Sequence, residues 1–225
     1  VELIDGDDVT RVVIDCGPDF REQMLAASVR RIDAVLITHP HADHIHGLDD
    51  LRGYVIDHRR LVDLYADRET YARLFEAFGY CFRTPPGSAY APIVRHHEIQ
   101  GGRSFEIDGP AGAITVHPYT QVHGSIHSLG FRIGPIAYSS DVSDFPSAAV
   151  EAISGAELLV VDALQYRPHP SHLSLDEALG WIDRLGVPRA VLTHMHTPLD
   201  YEAVRRSLPA HVEPAFDGMR IEFEL

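Results

Sequence analysis

The chain contains no lysine: all 19 of its basic residues are arginine, set against 33 aspartates and glutamates. That absence excludes a Walker-type phosphate loop, whose lysine reaches the phosphates. It also excludes Schiff-base chemistry, which needs an amine nucleophile. A formal charge of −14 with histidines neutral suits long nucleic acid badly, because such binding rests on neutralising phosphates. One small anion at a metal centre stays compatible, since a bound cation dominates the field around it. Cysteine is scarce too. Cys16 and Cys81 lie far apart, form no Cys-x-x-Cys pair, and read as small buried hydrophobes in a reducing, cytoplasmic setting. No run of about 18 apolar residues occurs, so neither a spanning helix nor a membrane partner is expected. The start carries no signal-peptide pattern. It opens on Val1-Glu2-Leu3-Ile4, inside what reads as a strand and without methionine, so residues upstream are expected.

What the chain does have is histidine, 15 in 225 residues. The stretch Thr38-His39-Pro40-His41-Ala42-Asp43-His44-Ile45-His46-Gly47 sets His39, His41, Asp43 and His44 at the spacing His-x-His-x-Asp-His. Before it runs Ile32–Ile37, apolar and short enough for a buried strand. After it, Gly47–Arg52 reads as the start of a helix. Four side chains able to bind metal therefore sit on a turn at a strand end. There, residues two apart can converge on one ion while Asp43 and His44 point at a second. Imidazole with carboxylate suits Zn, Mn or Fe.

Apolar content of 45% and charged content of 23% are those of an ordinary globule. Strands are predicted over Val9–Asp15, Leu61–Tyr65, Ile93–Ile99, Arg103–Ile107, Ala113–Tyr119, Leu129–Ile133, Ile136–Ser139, Leu158–Asp162, Ala190–Thr193 and Met219–Glu224. Helices are predicted over Asp19–Val29, Asp67–Phe78 (closed by Gly79), Pro146–Ile153, Leu173–Leu185 (with Ser171 or Ser174 as cap) and Tyr201–Leu208. Residues 80–92 lack periodicity and read either as a cleft wall or lid, or as an ordinary surface loop. No linker, repeat or low-complexity stretch divides the chain, so a single α/β domain over 1–225 is expected. Its mixture of strands and helices points to two sheets packed face to face with helices outside.

Three further candidates each end an apolar strand: His123 in Gln121-Val122-His123-Gly124, Asp141 in Ser139-Ser140-Asp141, and His194 in Val191-Leu192-Thr193-His194. The order His-x-His-x-Asp-His, His, Asp, His resembles the ligand order of the metallo-β-lactamase-fold hydrolases. That resemblance implies a four-layer αββα sandwich with two divalent ions, Zn or Mn with Fe also accepted. It places His39, His41 and His123 on one ion, Asp43, His44 and His194 on the other, and Asp141 between them. His127 competes for the slot of His123, whose Val-His-Gly context matches better. A bridging aspartate at 141 is similar to the phosphodiesterase, tRNA-processing and glyoxalase II-like branches rather than to true β-lactamases.

Within the fold the chain most resembles the PhnP-type cyclic phosphodiesterases. The matching stretches are Ile14–Arg21, Gly47–Arg52, Ser128–Phe131, Phe216–Met219 and Pro170-Ser171-His172-Leu173-Ser174. The resemblance implies hydrolysis of a small cyclic or nucleotide-like phosphodiester by a metal-bridging hydroxide. Asp43 would orient the nucleophile, and His172 would contact phosphate and protonate the leaving oxygen. His196, two residues beyond His194, is a second candidate for substrate contact. The upstream region that carries cysteines for a structural zinc in some relatives lies outside this sequence, so the resemblance implies nothing about that site here. The expected partner is a small phosphoester, with a nucleotide and a homodimer left open. A glyoxalase II-like thioesterase, a tRNA 3′-processing nuclease and a non-catalytic nucleotide-binding module are the alternatives.

Overall fold

The computed structural model of the protein describes residues 1–223. It divides into two compact units, residues 1–100 with 106–114, and residues 101–105 with 115–225. Both are built of strands and helices, with one sheet of five strands and one of seven. This is the mixed α/β, two-sheet class that the strand and helix pattern predicts.

In the first unit, β1 (Glu2–Asp5) and β2 (Asp8–Ile14) form an antiparallel hairpin. Helix α1 (Phe20–Ala26) leads to β3 (Ala34–Leu36), which pairs parallel to β2. A single helical turn, α2 (Ala42–Ile45), a 3-10 turn (Leu48–Leu51) and α3 (Arg52–His58) follow. Then come β4 (Val62–Ala66), α4 (Arg68–Phe82) and β5 (Val94–Glu98), both strands parallel, giving the order β1-β2-β3-β4-β5. β3 is buried along its whole length, as expected of the near-continuous apolar run of a central parallel strand. Around it pack Phe20, Ile37, Leu48, Leu51, Leu64 and Leu74. Each such side chain stabilises the unit by roughly 1.5–3 kcal/mol on leaving water.

In the second sheet β6 (Phe105–Ile107) is the edge strand, at the point where the chain passes from one unit to the other. β7 (Ile114–His123), β8 (Ile126–Ile133) and β9 (Ile136–Ser139) form an antiparallel meander. After α5 (Ser147–Ile153) the pattern turns parallel: β10 (Leu158–Asp162) lies between β9 and β11 (Arg189–Thr193). Helix α6 (Leu175–Leu185) connects β10 to β11, and α7 (Tyr201–Ser207) connects β11 to the edge strand β12 (Val212–Pro214). Ser174 caps α6 in a reciprocal capping box with Glu177, so of the two serines predicted it is 174 that starts the helix.

Several boundaries differ from expectation for local reasons. α4 does not close at Gly79. Its backbone leaves helical values at Phe78 (φ −128°, ψ 31°) and resumes to Phe82, whose ring packs 5.3 Å from Tyr71 and so keeps the last turn on the aromatic face. Residues 80–82 are therefore helical, and the irregular stretch is shorter than expected. β7 runs on to His123 because β8 pairs with it residue for residue up to Ile126. Residues 219–223 form no strand, and Glu224 lies outside the described residues. Among the described residues the last strand is β12 instead, three residues long, whose Glu213 receives Arg189 Nε at 3.0 Å. So short a strand leaves no readable alternation, and its proline is tolerated because it lies on the sheet edge.

Candidate metal centre

In parallel sheets, neighbouring strands deliver their carboxyl ends to the same edge, where ligands gather. In the first unit Ile14 of β2 lies beside Leu36 of β3, so Asp15 and Thr38 emerge together. Asp15 adopts φ +61°, a left-handed conformation that aspartate tolerates better than most residues. Its carboxylate accepts the Thr38 N–H at 2.8 Å, the Thr38 hydroxyl at 2.8 Å and His44 Nδ1 at 2.6 Å. A carboxylate accepts only, so the proton of His44 sits on Nδ1 and Nε2 carries the lone pair. The Thr38 hydroxyl, having donated to Asp15, accepts from His39 Nδ1 at 3.0 Å. The same tautomer follows there. A ligating histidine is oriented in this way, its second nitrogen bonded to an outer carboxylate or hydroxyl.

His41 is extended at the N-terminus of α2, and the single turn brings Asp43 and His44 round. The His39 ring lies 4.5 Å from His41 and 4.3 Å from His44. Asp43 Oδ2 stands 3.5 Å from His44 Nε2. The loop after β2 clamps this turn: Cys16 N–H donates to the His44 carbonyl and Gly47 N–H to the Cys16 carbonyl, each at 2.8 Å. Gly17 must be glycine, since a Cβ there would meet the Asp43 carbonyl oxygen at 2.1 Å.

The second unit repeats the logic. His123 ends β7, and its Nδ1 donates to the Ser171 carbonyl at 2.7 Å, which again leaves the lone pair on Nε2. That nitrogen lies 3.6 Å from Asp141 Oδ2, while Asp141 Oδ1 lies 3.6 Å from His194 Nδ1. Both separations are too long for hydrogen bonds. They are close to the roughly 3.3 Å edge between two ligand atoms on one tetrahedral ion with bonds of about 2.0–2.1 Å. Each oxygen of Asp141 thus faces a different histidine, which fits a carboxylate shared by two ions. Asp141 (φ +54°) and His194 (φ +56°) are both left-handed, and such backbone concentrates at functional sites. Beneath Asp141 lies a buried polar floor. Ser140 Oγ donates to Asp141 Oδ1 at 2.8 Å, Ser128 Oγ to the Asp141 carbonyl at 2.7 Å, and Gln121 Nε2 to the Ser140 carbonyl at 2.7 Å.

His172 stands beside these residues and is held differently. Its Nδ1 bonds Asp162 Oδ2 at 2.7 Å, and its Nε2 faces Asp141 Oδ2 at 3.9 Å. Its ring stacks on His194 at 5.1 Å and meets His123 edge-on at 4.7 Å. Asp162 ends β10 with no exposed surface. Burial pushes its carboxyl above the usual carboxylate range, and the His172 hydrogen bond opposes that. The Val142 N–H also donates to Oδ2 at 3.1 Å, while Oδ1 has no hydrogen-bond partner among the described residues.

Of the residues predicted from sequence, His39, His41, Asp43 and His44 cluster in one unit and His123, Asp141, His194 and His172 in the other. The metal-competent side chains among them are suited to holding divalent ions. His127 is exposed, and His123 stands in the cluster. His46 packs against Phe78 at 5.9 Å. His196 is exposed, its ring contacting Thr197. The two cysteines are buried and free, as expected. Asp15 and Asp162, the carboxylates that orient His44 and His172, were not singled out in the sequence. The available signal was an aspartate closing an apolar strand, Val-Val-Ile-Asp and Leu-Val-Val-Asp.

The chain as a whole matches known proteins. The chain belongs to the beta-lactamase superfamily, whose domain profile matches residues 10–195. Within it the chain falls in the PhnP family: a solved diphosphatase of that family is 35% identical, with a TM-score of 0.86, covering 100% of this chain and 83% of that one. The protein thus carries a domain of the metallo-β-lactamase fold. It is also 36% identical over 220 residues to an octanoyltransferase of Porphyromonas gingivalis, covering 96% of this chain but 43% of that protein, so it spans less than half of that relative's length. A ribonuclease Z of Mycobacterium sp. (strain KMS) is 28% identical over 253 residues, 93% of this chain and 85% of that protein. No helix among the described residues is long and apolar enough to cross a membrane.

Proposed function

We propose that this protein is a cytoplasmic, metal-dependent phosphodiesterase acting on a small cyclic or nucleotide-like phosphodiester. In this reading His39, His41 and His123 hold one divalent ion, Zn or Mn, Asp43, His44 and His194 hold a second, and Asp141 serves both. Bound there, the ions supply Lewis acidity and an activated water. The chain's own residues do the rest. Asp15, Thr38 and the Ser171 carbonyl keep the ligating histidines in one tautomer. Asp43, its side chain 58% exposed, can accept a proton from the attacking water and orient it.

The observation that carries the phosphoester reading is the Asp162–His172 pair, joined at 2.7 Å. Asp162 fixes the proton on His172 Nδ1 and stabilises the imidazolium, as the aspartate of a catalytic triad does. Nε2 then holds a proton that it can deliver to a departing alkoxide, a role worth typically about 10²–10⁴ in rate. The likeness to a PhnP-family diphosphatase supports the same substrate class. A second reading, a nuclease, draws on the ribonuclease Z relatives, and the formal charge of −14 weighs against it.

The test is a hydrolysis screen on metal-analysed protein with cyclic phosphates, bis-p-nitrophenyl phosphate, a precursor tRNA and S-lactoylglutathione. Turnover of the small diesters is expected to exceed the others, and His172→Ala to lose it while keeping its metal. Faster turnover of the thioester or of the tRNA would sink the proposal.

A further inference from the structure

The loop that carries His172 holds another histidine to which nothing above gives work. His169 lies between Pro168 and Pro170, half-buried, with its ring 5.2 Å from that of His172. Its Nδ1 faces two donors, the Ser171 N–H at 3.4 Å and the Ser171 hydroxyl at 3.2 Å. A backbone N–H can only donate, so Nδ1 is the acceptor and the neutral ring carries its proton on Nε2. This is the reverse of His172, where Asp162 pins the proton on Nδ1. The two neighbouring rings are therefore differentiated. One can release a proton from Nε2, and the other offers a standing Nε2–H donor. The flanking prolines each fix their own φ and stiffen the backbone on either side, while the ring itself is oriented by Ser171. The same Ser171 grips His123 through its carbonyl at 2.7 Å, which ties the loop to the ligand cluster.

We propose that His169 is a substrate-binding residue that sets specificity: its Nε2–H donates to an anionic oxygen of a second phosphoryl group, next to the scissile one. The adjacent rings of His172 and His169 then serve adjacent phosphoryl groups, and the site prefers a diphosphate ester over a lone phosphodiester. This inference rests on the phosphoesterase reading and deepens it.

Two substitutions separate donor from brace. His169→Asn keeps an acceptor near the Nδ1 position for Ser171 but removes the distal donor. His169→Gln restores a donor near the Nε2 position. The probes are ADP-ribose, a diphosphate ester, and bis-p-nitrophenyl phosphate, which has one phosphoryl group. Loss of one hydrogen bond to a charged group is expected to cost about tenfold or more. In His169→Asn, KM for ADP-ribose should rise about that much with kcat within about twofold, and KM for bis-p-nitrophenyl phosphate should stay put. His169→Gln should recover most of the loss. Calorimetric Kd values for ADP-ribose on metal-loaded protein should follow the same order without reference to turnover. Equal Kd in wild type and His169→Asn, failure of wild type to bind ADP-ribose, or a parallel loss of both substrates and of metal content would overturn the inference. If wild type binds ADP-ribose in the expected order but cleaves no phosphoester, the phosphoesterase reading fails and the subsite stands.

Discussion

Asp15→Asn exchanges one atom type and should disable half of the ligand set. Asparagine tolerates the left-handed φ of +61° at this position, and its Oδ1 can still accept the Thr38 N–H now received at 2.8 Å. The other end of the side chain becomes an NH₂. It meets His44 Nδ1 and the Thr38 hydroxyl, which at present donate to Oδ2 at 2.6 and 2.8 Å. Two donors now oppose a donor. The cheapest relief is for His44 to shift its proton to Nε2, the nitrogen assigned to metal. Loss of such outer-shell partners typically costs about 10–100-fold in metal affinity, or about 1.4–2.8 kcal/mol. The lost charge-assisted bond should lower fold stability by about 1.5–3 kcal/mol, and a chain of this size loses about 2–4 °C of Tm for each. The assay is competition for zinc against a chromophoric chelator, with circular dichroism to show that the fold persists and long-range ¹⁵N–¹H spectra to report the His44 tautomer. A folded Asp15→Asn protein whose zinc affinity lies within twofold of wild type would show that Asp15 does not set the His44 tautomer.

Three further outcomes follow from other parts of the molecule. Asp162→Asn should leave metal content unchanged but cut phosphodiester turnover by about 10²–10⁴, because a neutral amide still accepts from His172 Nδ1 but no longer supplies the negative charge that stabilises the imidazolium; steady-state kinetics on metal-analysed protein decides this. Gly124→Ala should destabilise the fold by about 1–2 kcal/mol for the left-handed φ of +61° alone. Its Cβ would also meet Ser171 Cβ at 2.8 Å, so His123 should lose its carbonyl partner and zinc affinity should fall with Tm. The Cys81 thiol is pushed up to about 12 by burial and by Asp49. Between the ordinary value of 9.0 and about 12 the unfolded chain releases a proton that the folded chain keeps, so stability is level below that window and falls as pH rises through it. Urea midpoints at pH 8 and 10.5 should show the drop, and a thiol reagent at pH 8 should label Cys16 and Cys81 only after denaturation.

Much of this site was legible because chemistry that needs scarce residues leaves a dense pattern. His39, His41, Asp43 and His44 stand within six positions, and His123, Asp141 and His194 each lie at or shortly after the end of a segment that reads as a strand. Their orienting partners were not legible. Asp15 reaches His44 across 29 positions, and Ser171 reaches His123 across 48. Contacts of that span are set by strand register, which a single sequence does not display. Ser140, Gln121 and Ser128 are ordinary polar residues until a buried carboxylate is placed above them. In the fold, elements with strong patterning such as β10 and α6 were predicted nearly to the residue. α4 ran past its glycine because aromatic packing outweighed a local helix-stop signal. β12 escaped notice because three residues carry no period.

Asp141, with one oxygen facing His123 and the other facing His194, is the residue on which a two-ion phosphodiesterase would turn. The most direct measurement is a zinc titration of metal-stripped protein, following bound equivalents and bis-p-nitrophenyl phosphate hydrolysis in the same samples, for wild type and Asp141→Ala. Two equivalents are expected in wild type, with hydrolysis rising as the second binds, and loss of both tight binding and hydrolysis in Asp141→Ala. A single equivalent in wild type, or two retained in Asp141→Ala, would rule out a shared Asp141.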